Sequence, residues 1–225
     1  ESPDDAGGNN VYDVTITIND GVNGGATITY VVTVTDVAVA ITASQSDSIA
    51  ENAAVDDDVM TVATTGDSAT SFTITAGNSD GIFKISNAGL IEISSTSNLN
   101  YESDSSYTLT IRANDGTAND DEDVTITIDD INDQTPTYSA TDTTPSVAEG
   151  ATAVETNIAI TDTDTGDVNV CTKGGADAAL FTCTVTATTY TLAFTAAEDF
   201  ESPDDAGGNN VYDVTITIND GVNGG

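Results

Sequence analysis

The chain has 225 residues, 38 of them Asp or Glu against only 3 Lys or Arg and no His, for a formal net charge of -35. Such a field repels nucleic acid and anionic lipid headgroups within a Debye length of about 8 Å, which excludes both as partners, and the missing imidazole removes the commonest catalytic base. Apolar residues still make up 38% of the chain, and many alternate with Thr in strand fashion, so the charge belongs to a folded protein for which divalent cations are the evident counterions.

Val, Ile and Thr dominate, and Gly, Asn and Asp punctuate the runs, which makes the class all-β with tight turns. In VYDVTITI, residues 11–18, Tyr12, Val14, Ile16 and Ile18 share one face while Asp13, Thr15 and Thr17 share the other, the period-2 pattern of a half-buried antiparallel strand. Residues 26–35 repeat it with Ile28, Tyr30, Val32 and Val34 inward. Further strands are expected near 58–63, 70–76, 81–86, 89–94, 106–113 and 123–130, then near 154–161, 168–172, 180–186, 189–194 and 211–219, with SDG, NDG and TGD turns between them. This spacing predicts tandem Greek-key β-sandwiches of about seven strands each, immunoglobulin-like in architecture. No apolar run approaches the ~18 residues of a membrane-spanning helix, and the charged, Gly-rich start does not read as a signal peptide.

Residues 1–25, ESPDDAGGNNVYDVTITINDGVNGG, recur without a change as residues 201–225. An identity of that length points to a window on a tandem array with a period of 200 residues, in which 26–40 shows what would follow Gly225. The domains are then 1–40, the C-terminal part of one domain; 41–136, a complete domain; and 137–225, a domain lacking its last strand. A second reading makes each chain a subunit whose N-terminal strands complete a neighbour's truncated domain by strand addition. Against it, 11–18 and 211–218 would compete for one place in the sheet.

Carboxylates fall where strands end near the domain junctions, and a hard cation that takes six to eight oxygens at ~2.3–2.6 Å needs that convergence. Residues 98–138, NLNYESDSSYTLTIRANDGTANDDEDVTITIDDINDQTPTY, resemble the end of a cadherin repeat, and AEDFESPDDAGGNNVYDVTITINDG at 197–221 is similar to the bacterial version of that module. The resemblance implies calcium at the junction around 130–136. Glu51 matches the family's glutamate near the start of a module, and Asn100 and Glu102 match its D-x-E pair, with Asn in place of the usual Asp. Asp130, Asn132 and Asp133 match the linker, where the Ile131 and Gln134 carbonyls are expected as further ligands. From the following module, Asp162 and Asp164 match the D-x-D pair and Asp220 the later aspartate. Seven of these side chains are anionic, so bound cations offset most of their mutual repulsion.

The other junction is depleted. Glu149, Asp199 and Glu201 supply its first half. The linker DVAVA keeps Asp36 but places Ala38 and Val39 where the family has Asn and Asp. On the acceptor side Thr65 replaces the first aspartate, leaving Asp67 and, later, Asp115. Fewer ions, or none, are expected there. The stretch from Asp162 to Asp167 superficially resembles an EF-hand loop, but Gly166 is one place early and no Glu closes it. The acidic run 119–123 and Asp56 to Asp58 are read as solvated hairpin tips. Cys171 and Cys183 flank a probable hairpin or short loop: an extracellular setting favours a disulfide, and two buried free thiols are the alternative.

No nucleophile stands beside a base, so an enzyme is not expected. The reading is an extracellular, cell-surface or secreted tandem-repeat fibre or adhesin stalk, prokaryotic, rigidified by Ca2+ between repeats joined end to end and associating with its own kind. Edge strands at 26–35 or 123–130 are candidates for lateral pairing. The rival reading has these repeats space out a separate lectin-like or ice-binding tip.

Overall fold

The computed structural model describes residues 5–139, 142–164 and 168–221. The first strong alternation forms β1 (Val11–Ile18), which pairs antiparallel with β2 (Ala26–Thr33), placing Tyr12 opposite Val32, Val14 opposite Tyr30 and Ile16 opposite Ile28. One face of this hairpin is a threonine ladder, with the Thr15 and Thr29 hydroxyls 3.1 Å apart and those of Thr17 and Thr27 3.2 Å apart. The other face is apolar and lies open to solvent: Val14, Ile16, Ile18, Ile28, Tyr30 and Val32 are all exposed.

The central module is a complete sandwich. Its strands are β3 (Ala40–Ile41), β4 (Gln45–Ala50), β5 (Asp58–Thr61), β6 (Thr64–Thr65), β7 (Ser71–Ala76), β8 (Phe83–Ile85), β9 (Leu90–Ile93), β10 (Ser106–Asn114) and β11 (Asn119–Asp129). One sheet runs β4-β11-β10-β7 and the opposing one β5-β9-β8, while β3 pairs with β6. The inward residues of both sheets meet in one core, where Ile91, Ile93, Leu109, Ile111, Val124 and Ile126 are fully buried. Here β10 and β11 place Tyr107 opposite Ile126, Leu109 opposite Val124 and Ile111 opposite Glu122. The pairs Tyr12–Val32, Val14–Tyr30 and Ile16–Ile28 repeat that register, so the N-terminal hairpin is the counterpart of β10–β11 without the rest of its sandwich.

Three expectations are corrected in this module. Residues 45–50 form a strand although QSDSIA hardly alternates, because β4 is held by its parallel pairing with β11. The run 119–123 is not a hairpin tip but the first half of β11: Asp121 binds the Arg112 guanidinium at 2.6 Å, Asp123 accepts from the Thr110 hydroxyl at 2.8 Å and Asp120 from the Ile41 amide at 2.6 Å. Strand β11 is also flanked on both sides, by β4 and β10, and so offers no edge for lateral pairing.

The C-terminal module contains β12 (Thr137–Tyr138), β13 (Ala153–Thr161), β14 (Val170–Gly174), a 3-10 turn at Ala178–Leu180, β15 (Phe181–Val185), β16 (Thr189–Phe194) and β17 (Thr215–Asn219). One sheet runs β12-β13-β16-β15, and among the described residues β14 pairs only with β17. A disulfide joins Cys171 on β14 to Cys183 on β15. These strands belong to different sheets, so the bond ties the sandwich together across its layers rather than bracketing a hairpin. Between the sheets lies a cavity of about 780 Å3, lined among others by Val147, Val154, Phe181, Leu192, Phe194 and Val214. Its position corresponds to the place that β11 fills in the central module.

Candidate metal centre

The junction between the central and C-terminal modules is assembled from four chain segments. Strand β4 runs parallel to β11 and delivers Glu51, whose amide donates to the Asp129 carbonyl at 3.1 Å. The buried Glu51 carboxylate accepts from the Tyr101 amide through Oε2 and from the Ile131 amide through Oε1, both at 2.8 Å, clamping the loop of residues 100–104 to the linker. In that loop Asn100 Oδ1 accepts from the Ser103 amide at 3.2 Å, so the Asn that replaces the family's Asp shapes the turn carrying Glu102. Across the linker, the Gln134 amide donates to Asp164 Oδ2 at 2.8 Å, and the Asp164 amide donates to Asp162 Oδ1 at 3.3 Å. The Gln134 side chain donates to Asp133 Oδ1 at 2.6 Å.

Two groups of carboxylates converge here. Glu51, Glu102 and Asp133 each bring an oxygen within 4.8 Å of the others, and so do Glu102, Asp130 and Asp164. Glu102 belongs to both groups. Its two carboxylate oxygens are covered by protein and accept no hydrogen bond, and Asp164 Oδ1 is in the same state. Burial pushes the Glu102 carboxyl above its ordinary range, and the facing Asp164 and the charges of Glu51 and Asp133 push the same way. Like charges packed this closely without donors are costly alone, and they are the donor set that a hard, oxygen-loving cation takes. Asp220 is buried, and Ile131 and Asn132 are half-buried in the same linker region. Gly166 and Asp167, from the EF-hand comparison, lie outside the described residues.

The residues expected at the other junction divide into two sets. Glu149, Asp199 and Glu201 converge within 4.8 Å, but all three are exposed. Asp36, Asp67 and Asp115 form no three-carboxylate group among the described residues. Asp115 instead accepts from the Val39 amide at 2.8 Å and from the Thr117 and Ala118 amides at 2.7 Å, which hold its carboxyl well below the usual carboxylate range. The Thr117 hydroxyl is shared between Asp115, at 2.8 Å, and Asp36, at 2.7 Å. Gly66 lets the 64–67 loop close over the linker: its φ is +78°, and a Cβ there would stand 2.2 Å from the Ala38 carbonyl oxygen. Here hydrogen bonds fasten the linker to the module below. Sequence reasoning missed Thr117; its signal was the Asp-x-Thr spacing from Asp115, which favours a side-chain to backbone turn.

The family model described as the cadherin domain matches residues 45–129, the segment from β4 through β11. The match covers the central module and less than half of the chain. Solved structures share the fold of the wider chain. Mouse cadherin-23 EC22-24 superposes with a TM-score of 0.65 at 21% identity, covering 94% of this chain and 69% of that one. The protocadherin gammaB4 extracellular domain gives 0.64 at 25% identity, covering 95% and 35%. Protocadherin gamma B2 extracellular cadherin domains 3-6 give 0.59 at 22%, covering 79% and 42%, so the chain spans less than half the length of these protocadherins. A search of curated proteins finds no match. Among the described residues no helix is long and apolar enough to cross a membrane.

Proposed function

We propose that the chain is a length of a calcium-rigidified tandem-repeat protein, structural and adhesive, that forms a surface fibre or adhesin stalk. The observation that carries this reading is Glu102: a carboxylate whose oxygens are buried without a donor, shared by two carboxylate groups that join one module to the next. Glu51, Glu102, Asp130, Asp133 and Asp164 would hold Ca2+ there, with Asp162 and Asp220 completing the anionic set. The ion supplies the positive charge that lets these groups approach, and the residues on either side of the linker then cannot separate without exposing it. The junction around Asp36 keeps fewer of these ligands and is fastened by Asp115 and Thr117, so calcium-rich and calcium-poor joints would alternate along an array.

Small-angle X-ray scattering of the 225-residue chain, with calcium and with excess chelator, tests the reading. The expected result is a longer, narrower distance distribution in calcium that shortens on chelation, with calcium uptake seen by titration calorimetry. Profiles that superpose in the two conditions, or no uptake of calcium, would overturn it.

A further inference from the structure

The residues that the C-terminal module would bring to calcium come from two different layers. Asp162 and Asp164 follow Thr161, the last residue of β13, and so issue from the sheet β12-β13-β16-β15. Asp220 follows Asn219, the last residue of β17, and so issues from the ribbon of β14 and β17. These strand ends lie at the same end of the sandwich. The Ile160 amide donates to the Thr188 carbonyl at 2.8 Å, which sets the end of β13 beside the turn between β15 and β16. The Asn169 side chain, just ahead of β14, donates to the Ala187 carbonyl of that same turn at 3.1 Å. Val170 pairs with Asn219, so Asn169 and Asp220 stand at adjoining positions of the ribbon. Asp164 and Asp220 are buried. A cation held by Asp162, Asp164 and Asp220 therefore bridges the two layers, and its binding depends on how far apart they are kept.

The same two layers are joined covalently. Cys171 on β14, paired with Ile218 in the ribbon, is bonded to Cys183 on β15, paired with Leu192 in the sheet, with the two Cα atoms 6.2 Å apart. Ile218 lies two residues before Asp220, so the bond grips the strand that carries that ligand close to its end. Lys173 of β14 also reaches across, donating to the Phe181 carbonyl of β15. Most of the remaining contact is apolar, through Ile158, Ile160, Phe181, Leu192 and Ile218. Apolar burial is non-directional and holds layers together without fixing one offset between them, whereas a covalent bond fixes it.

We propose that the disulfide between Cys171 and Cys183 positions Asp220 against Asp162 and Asp164, so that calcium affinity at the junction is coupled to the oxidation state of the bond. This rests on the calcium reading above. A dithiol reductant converts the bond to two thiols while closing to its own disulfide, and leaves the spacing of the layers to apolar contact and hydrogen bonds. Such a coupling is reciprocal: the factor by which the bond tightens calcium binding is the factor by which calcium shifts the thiol–disulfide equilibrium toward the bond.

Two measurements on the full chain test this. Titration calorimetry should show calcium binding about tenfold weaker after reduction with excess dithiothreitol than before it, a coupling in the ordinary range for linked sites. Conversely, the oxidised and reduced chain can be equilibrated in mixtures of oxidised and reduced dithiothreitol, in calcium and in chelator, with free thiols counted by alkylation and mass spectrometry. Calcium should move that equilibrium about tenfold toward the disulfide. Asp220→Asn should abolish the movement, because it removes the ligand on one layer and leaves the bond in place. Equal calcium affinity in the oxidised and reduced chains overturns the proposal and leaves the calcium reading standing. A calcium-driven movement that persists in Asp220→Asn also overturns it, since the bond would then act through the stability of the module rather than through the position of this ligand. An oxidised chain that takes up no calcium refutes both readings together.

Discussion

Replacing Glu102 with Gln should move stability in opposite directions with and without calcium. In the ion-free chain Glu102 lies within 4.8 Å of Glu51 and Asp133 in one group and of Asp130 and Asp164 in the other. Two like charges at that distance repel by about 3.5 kcal/mol at an effective dielectric near 20. Solvent reaches part of Glu102 and its neighbours relax, so the net relief on neutralising it is smaller, about 1–2 kcal/mol. A domain of this size gains about 4–8 °C in melting temperature per kcal/mol. In chelator, therefore, Glu102→Gln should melt several degrees above the parent. In calcium it should melt below it, because an amide oxygen without charge is a poorer ligand.

The pH dependence of the parent gives the same argument a second reading. The folded-state pKa of Glu102 is raised, chiefly by burial. Between the ordinary carboxyl pKa and that raised value, the folded chain binds more protons than the unfolded one, so stability in chelator rises as the pH falls through the window. Glu102→Gln should flatten that rise. Differential scanning calorimetry in chelator and in calcium, at several pH values, measures all of this. A variant that melts below the parent in chelator would show that Glu102 is not repelled by its neighbours, and the electrostatic account of the junction would fail.

Asp115→Ala should lower the melting temperature equally in calcium and in chelator, since it frees the Val39, Thr117 and Ala118 amides rather than an ion. The contribution of Asp115 is present above the ordinary Asp pKa of about 4 and lost as the pH falls below it, because its folded pKa is depressed; an acid titration of parent and variant should converge at low pH. Ile126→Ala, at a fully buried site, should cost about 2–5 kcal/mol in urea unfolding. Reducing the bond between Cys171 and Cys183 should destabilise the C-terminal module by about 3 kcal/mol on loop-entropy grounds, leaving the transition of the central module in place.

Most of the sandwich could be read from strands whose own side chains alternate. YTLTIRA and VTITID carry their inward face in the sequence, and β10 and β11 follow it. Strand β4 could not be read, because QSDSIA becomes a strand through its partner. The disulfide's partners were legible, but its crossing between layers was not, since sequence spacing does not reveal which sheet a strand joins. At the metal centre, the motif placed Glu51, Glu102, Asp130, Asp133 and Asp164 on one junction, and the structure brings them together. The failure of Asp36, Asp67 and Asp115 to gather was foreshadowed by Ala38, Val39 and Thr65, but the replacement chemistry depends on a hydroxyl, Thr117, that only the fold brings beside Asp36.

The duplicated segment separates what a sequence dictates locally from what its surroundings dictate. The loop DAGGNN keeps the same form in both copies: Asp5 accepts from the Asn9 and Asn10 amides at 3.1 and 2.9 Å, and Asp205 from those of Asn209 and Asn210 at 3.1 and 3.0 Å. Gly8 and Gly208 have φ near +60° in each, so this loop carries its own instructions. The strand that follows does not. It pairs over all of Val11–Ile18 in the first copy but only over Thr215–Asn219 in the second, and Ile18 is 73% exposed where Ile218 is 2%. What differs is the company: β2 pairs with the first copy and β14 with the second. Its counterpart in the central module, β10, is paired on both sides, by β11 and β7, and among the described residues each copy of the duplicated strand is paired on one. The same residues are therefore exposed or buried according to what packs on them, as Ile18 and Ile218 are, while the loop before them keeps its form.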